Sequence, residues 1–176
     1  VILTSGVARK PGQSRLDLAQ TNVNITKSII PEITKYAPNA FYVIVSNPID
    51  ILTYQFHKTA GLKENQIIGS GTVLDSARLR ARIAEYYKIN QKNVHAYVIG
   101  EHGDSEFVPW SNASIALKSI DAYLTEDEKN KIEEDVRNSA YEIINRKGAT
   151  YYGIGMCLVR ITNAILGDEN VILSVS

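Results

Sequence analysis

Gln66-Ile67-Ile68-Gly69-Ser70-Gly71 decides the fold class: a strand-length apolar run is closed by two glycines around a serine. The sequence on its two sides has different character. Upstream, Phe41 to Val45 is a second apolar run, closed by Ser46-Asn47-Pro48, and Val1 to Thr4 is another, running into Ser5-Gly6. Helical patterns lie between these runs. Leu18, Ile25, Ile29 and Ile33 recur at helical spacing, which predicts a helix from Leu16 to about Tyr36, kinked at Pro31 because proline removes a backbone donor. Asp50 to Thr59 predicts a shorter helix ended by Gly61. Strand, helix, strand, helix, strand is the order of a parallel sheet with helices packed on it. Val7 to Ser14, with Arg9, Lys10, Pro11, Gly12 and Gln13, reads as an exposed, mobile polar loop.

Downstream of Gly71 a helix is predicted from about Val73 to Tyr87. It leads into Val94-His95-Ala96-Tyr97-Val98-Ile99, whose alternation predicts antiparallel strands in a mixed region. A domain boundary therefore falls near Ser70. A later helix is punctuated at both ends. Thr125 and Glu128 form a capping box, Glu126 and Asp127 add negative charge to its start, Arg146 and Lys147 occupy its last turn, and Gly148 stops it.

Composition narrows the function classes. The 176 residues suffice for one sizeable core or two small lobes. Lys+Arg and Asp+Glu balance at 19 each, so no excess charge recruits nucleic acid or an anionic membrane. The single cysteine, Cys157, cannot form an internal disulfide, which fits a reducing cytosol. No apolar run reaches the ~18 residues of a membrane span. Both ends lie in apolar, strand-like stretches, Val1-Ile2-Leu3 and Val171-Ile172-Leu173-Ser174-Val175-Ser176. Such ends leave backbone pairing incomplete, and an internal piece of a longer chain is expected.

The candidate chemistry begins on the helix from Val73. Asp75 and Arg78 are three apart and share a face, with Arg82 further along it. Arg80, two residues beyond Arg78, is rotated from it by roughly 200° at ~3.6 residues per turn, so the two arginines serve different surroundings. A solvated basic face is the plain alternative. His102 lies in Gly100-Glu101-His102-Gly103-Asp104, after an apolar strand. Glycines permit a sharp turn that presents the imidazole, the natural acid–base near neutral pH, though a loop histidine taken alone is more often incidental. Arg15 closes the polar loop, where a guanidinium could swing over a substrate or simply lie exposed. Asn47 follows a strand at its C-terminal end, where open α/β sheets bind ligands, or it belongs to an ordinary Asn-Pro turn. Gly153-Ile154-Gly155 lacks a third glycine and follows a helix, so it is rejected as a dinucleotide loop. Three scattered histidines and one cysteine do not predict a metal centre.

Four stretches, in order, carry a resemblance. Lys10-Pro11-Gly12-Gln13-Ser14-Arg15-Leu16-Asp17-Leu18, Ser46-Asn47-Pro48-Ile49-Asp50-Ile51-Leu52-Thr53-Tyr54, Gly69-Ser70-Gly71-Thr72-Val73-Leu74-Asp75-Ser76-Ala77-Arg78 and Gly100-Glu101-His102-Gly103-Asp104-Ser105 resemble the lactate/malate dehydrogenase family, and the likeness covers essentially the whole chain. The resemblance implies an α/β fold, with 1–69 the later part of an NAD-binding Rossmann-type parallel sheet. It makes 70–176 a mixed α+β substrate domain, truncated at its C-terminus. It implies a cytoplasmic oxidoreductase of glycolysis, homotetrameric at full length, that transfers a hydride between NADH and pyruvate to give L-lactate. His102 would be the proton donor–acceptor, and Asp75 its partner favouring the imidazolium. Arg78 would grip the substrate carboxylate in a bidentate pair, Arg15 would polarise the ketone, Asn47 would bond the substrate oxygen, and Thr150 would line the methyl side.

For the cofactor the resemblance implies Gly6, Val7, Ser28, Val45, Ser46, Asn47 and Ser70. Arg80 and His95 match an allosteric pair that binds fructose 1,6-bisphosphate. Arg9 stands where malate enzymes of the family use arginine to pair a second carboxylate. Glu101, Leu16-Asp17-Leu18, Thr150 and Gly69-Ser70-Gly71-Thr72 favour lactate. Malate oxidation remains the alternative activity. The family's glycine-rich turn and ribose-binding acid would lie upstream of Val1, so an inactive remnant is the expectation from a different class, while a bare interaction module has no supporting feature.

Overall fold

The computed structural model describes residues 1–7 and 15–176, with side chains along the first helix from residue 18 onward. Residues 8–14 of the predicted polar loop, Arg9 among them, lie outside the described residues, as does the Arg15 side chain. The chain divides into two compact units, Val1–Gly71 with Val175–Ser176, and Thr72–Ser174.

The first unit holds three parallel strands, β1 (Ile2–Leu3), β2 (Tyr42–Ile44) and β3 (Ile67–Gly69), in the order β1-β2-β3. Ile2 is in register with Val43, and Tyr42 with Ile67. α1 (Arg15–Tyr36) and α2 (Ile49–Ala60) make the two crossovers. α2 stops at Gly61, whose φ of 64° is the left-handed conformation that a β-carbon disfavours. Ile30, Tyr42, Ile44, Ile49, Leu52, Phe56 and Ile67 form the core, with the Tyr42 and Phe56 rings 5.1 Å apart. The Tyr42 hydroxyl, carried into that core, donates to the Ala37 carbonyl at 2.8 Å.

α1 runs through Pro31 to Tyr36, the predicted end, with the proline on its exposed side, where it costs the helix a donor. Its buried stripe is Ala19, Asn22, Thr26 and Ile30, whereas Leu18, Ile25, Ile29 and Ile33 flank it half-buried. The stripe turns because buried Asn22 has polar work. Its Oδ1 accepts from Val7 N at 2.9 Å, and its Nδ2 donates to the carbonyls of Val7 (3.3 Å) and Asn47 (2.7 Å), fastening the turns after β1 and β2. The linear boundary near Ser70 differs from the contact division in one respect. Gly69 and Ser176 exchange backbone hydrogen bonds of 2.7 and 3.0 Å, which returns the last two residues to the first unit.

The second unit contains α3 (Val73–Tyr87), an antiparallel sheet of β4 (Val94–His95), β5 (Ser114–Ile115) and β6 (Lys118–Ser119), then α4 (Glu126–Lys147) and α5 (Tyr152–Leu166). Leu79, Ile83, Val94, Val98, Ile120 and Val136 centre its core. Val94 to Ile99 alternates buried and exposed as predicted, yet only Val94 and His95 pair as a strand. Side chains of α3 and of Thr72, the residue before it, hold further backbone groups of this stretch. Ser76 Oγ accepts from Val98 N (2.9 Å), Thr72 Oγ1 donates to Val98 O (2.6 Å), and Arg80 donates to Ala96 O (3.1 Å). α4 carries its predicted capping box, with Thr125 N donating to Glu128 Oε2 at 2.8 Å. It ends at Gly148, φ 77°. Gly153 and Gly155 fall inside α5, so the rejected phosphate loop is helix. Among the described residues no helix is long and apolar enough to cross a membrane.

Candidate active site

Thr72 and Ser76 clamp the start of α3 to the Val98 backbone, which fixes the residue between them, Asp75. It is 2% exposed, and both of its oxygens are engaged. Oδ1 accepts from Arg78 NH1 at 3.1 Å, one turn along the helix. Oδ2 meets His102 Nδ1 at 2.6 Å. The segment that carries His102 is closed by a pair of backbone bonds between Ile99 and Phe107, of 3.0 and 3.1 Å. Gly100, at φ 91°, supplies the conformation that starts the turn. The structure therefore brings Asp75, Arg78 and His102 together.

Glu106, absent from the sequence reading, joins them. It is 6% exposed, and its Oε2 lies 3.9 Å from His102 Nδ1. Its backbone is held at both ends: N–H donates to Gly103 O at 3.2 Å, and the carbonyl accepts from Arg137 NH2 at 3.2 Å. Burial, helped by the negative charge of Asp75, pushes its carboxyl up to about 7, against the opposing charges of His102, Arg137 and Arg78. The available signal was a lone carboxylate opening the apolar run Phe107-Val108-Pro109-Trp110. Asp75, His102 and Glu106 hold ligand-type atoms within 4.8 Å of one another. With Nδ1 hydrogen-bonded to Asp75 and a carboxyl that binds a proton near neutrality, the cluster is suited to acid–base chemistry.

The other predicted residues are placed as follows. Thr150 is half-buried in the connection between α4 and α5. Arg80 turns from Asp75 as the helical geometry required, holding the Ala96 carbonyl with its guanidinium 5.8 Å from the Tyr97 ring. Burial lowers its affinity for its proton. His95 is exposed on β4. In the first unit, Gly6 sits where an added β-carbon would come within 3.2 Å of Asn22 Oδ1 and the Ser46 side chain. Val7 is held by Asn22. Val45 N donates to Leu3 O at 3.0 Å, Ser46 Oγ to Ser5 O at 2.7 Å, and Ser70 N to Ile44 O at 2.9 Å. Asn47 is exposed and joined to Pro48 by a cis peptide bond. Ser28, exposed on α1, donates its hydroxyl to Ile25 O at 2.8 Å.

Residues 1–69 match the family described as lactate/malate dehydrogenase, NAD binding domain, and residues 72–176 match lactate/malate dehydrogenase, alpha/beta C-terminal domain. The chain belongs to the lactate/malate dehydrogenase family. Within it, the chain is 49% identical to L-lactate dehydrogenase 1 of Clostridium acetobutylicum and 48% identical to an L-lactate dehydrogenase of Clostridium perfringens. Each match takes in all of this chain and 58% of the relative, so the chain spans under two thirds of their length. Among solved structures, the minor L-lactate dehydrogenase from Enterococcus mundtii in its ligands-bound form matches with a TM-score of 0.96 at 45% identity. MGS-M5, a lactate dehydrogenase from a Medee basin deep-sea metagenome library, matches with a TM-score of 0.95 at 47% identity. Each covers 99% of this chain and 58% of the other. In this lactate/malate dehydrogenase chain, Asp75 Oδ2 and His102 Nδ1 lie at hydrogen-bond distance.

Proposed function

We propose that the chain belongs to an NAD-dependent enzyme that interconverts pyruvate and L-lactate, with 1–69 serving the cofactor and 70–176 the substrate. The observation that carries this reading is the 2.6 Å contact between Asp75 and His102, with Arg78 on the other Asp75 oxygen. Asp75 orients the ring through Nδ1, so Nε2 is the nitrogen that gives its proton to the substrate oxygen as pyruvate is reduced and recovers it in reverse. Arg78 is held one helical turn from Asp75, poised for a planar, bidentate pair with the substrate carboxylate. Asn47 and Arg15 bond and polarise the carbonyl, Thr150 borders the methyl group, and Arg9 meets the substrate's variable end.

The cofactor reading rests on the turns after β1, β2 and β3. Gly6, Val7, Val45, Ser46, Asn47 and Ser70 lie at or just beyond strand C-termini, where open α/β sheets bind ligands, and present small or neutral polar groups that suit a nicotinamide riboside, and Ser28 lies on the adjoining helix. Bound there, NAD supplies or accepts the hydride; these residues bind and orient it.

Arg80 and His95 are proposed as an anion site for fructose 1,6-bisphosphate, and the full-length assembly as a cytoplasmic homotetramer in glycolysis. Pyruvate, oxaloacetate and NADH, given to a protein of the relatives' length carrying these 176 residues, test the whole. Preferred pyruvate turnover is expected; a large preference for oxaloacetate overturns the lactate assignment in favour of malate. An unchanged half-saturation for pyruvate on adding fructose 1,6-bisphosphate overturns the effector assignment. NADH fluorescence on the isolated chain separates a binding unit from an inert one.

A further inference from the structure

We infer that Glu106 is a positioning residue for His102, a second buried carboxylate that holds the imidazolium against rising pH. The inference rests on His102 being the acid–base group.

Asp75 divides its charge between Arg78 and His102. Glu106 has a different set of neighbours. From α4, Arg137 NH2 goes to the Glu106 carbonyl at 3.2 Å and to the Glu133 carboxylate at 3.3 Å. Glu133 also accepts from Trp110 Nε1 at 3.2 Å. From α3 come Asp75, which repels, and Arg78, already paired to Asp75. Among the described residues, the cationic group within ion-pair reach of the Glu106 carboxylate is therefore His102, at 3.9 Å. Two groups this close titrate as a pair. An ionised Glu106 favours the imidazolium; a protonated one does not. Burial brings this carboxyl up to about 7, so the exchange falls near neutral pH. Acid–base groups are effective when they titrate near the working pH. Pyruvate reduction needs the imidazolium, and Glu106 extends the pH range over which it persists.

NMR titration of the imidazoles in the isotope-labelled chain tests this. Three histidines are present, so His102→Gln identifies the His102 signal by its loss. A second inflection near pH 7, where Glu106 releases its proton, is expected in the His102 curve of the unmutated chain. In Glu106→Gln that inflection should vanish and the His102 midpoint fall by about one pH unit, with partial recovery in Glu106→Asp. A single inflection in the unmutated chain with an unmoved midpoint in Glu106→Gln overturns the inference. If the glutamine variant does not fold, the Glu106 carboxyl carbon in the unmutated chain decides: a midpoint near 7 shared with His102 supports it, and the ordinary value of 4.5 overturns it. The titration uses neither pyruvate nor NAD. A protein that fails to reduce pyruvate therefore overturns the proposed function and leaves this result standing.

Discussion

The two units hold their functional groups by opposite means. In the first, neutral hydrogen bonds do it: Asn22 fastens two strand-end turns, and Ser46 Oγ and Ser70 N each hold a backbone carbonyl. In the second, charge does it: Asp75, Arg78, His102 and Glu106 constrain one another inside a largely buried cluster. A neutral lattice costs little to bury once its bonds are made, and it responds weakly to pH. A buried charge cluster is sensitive to every member. The difference suits a rigid cradle in one unit and proton chemistry in the other.

The sharpest way to break this contrast is at His102. His102→Gln should lower pyruvate reduction by about 10²–10⁴-fold, the usual contribution of a general acid–base, in a protein of the relatives' length. A loss under about tenfold would remove the chemistry from the second unit. Next comes the response of stability to pH. Below the ordinary value of 4.5, Glu106 is protonated whether the chain is folded or not. Between 4.5 and about 7 the unfolded chain releases a proton that the folded one keeps, so this group destabilises the fold progressively. The loss reaches about 3 kcal/mol and then levels off. Urea midpoints at about pH 5 and about pH 8 should show that fall in the unmutated chain and its absence in Glu106→Gln.

On the neutral side, Asn22→Ala strands the Val7 amide and two carbonyls, and should cost about 2–3 kcal/mol by chemical denaturation, with little dependence on pH. A strong pH dependence there would erase the distinction between the units. The smallest effect belongs to Thr125→Ala, which removes an exposed helix cap worth about 1 kcal/mol and should leave the His102 titration unmoved.

Legibility in the sequence followed the range of the interactions. Helix ends set by local chemistry, such as Thr125 with Glu128 and the stop at Gly148, were readable because their causes lie within a few residues. The parallel sheet was readable from three short apolar runs and their order. The separation of Arg78 from Arg80 followed from helical rotation alone. What escaped depends on partners distant in sequence. Asn22 is buried because it serves turns 15 and 25 residues away. Glu106 gains its character from burial and from Asp75, 31 positions upstream, which no local pattern encodes. Residues 96 to 98 alternate like a strand, yet most of the backbone bonds there go to α3 side chains rather than to a neighbouring strand.

The bonds between Gly69 and Ser176 make the second unit an insertion within the first. On a ribosome adding roughly 10 residues per second, β3 waits about ten seconds for the segment that completes its pairing. The first unit must keep that edge of β3 covered throughout the interval, while the inserted stretch, continuous in sequence, emerges between the two halves of its partner.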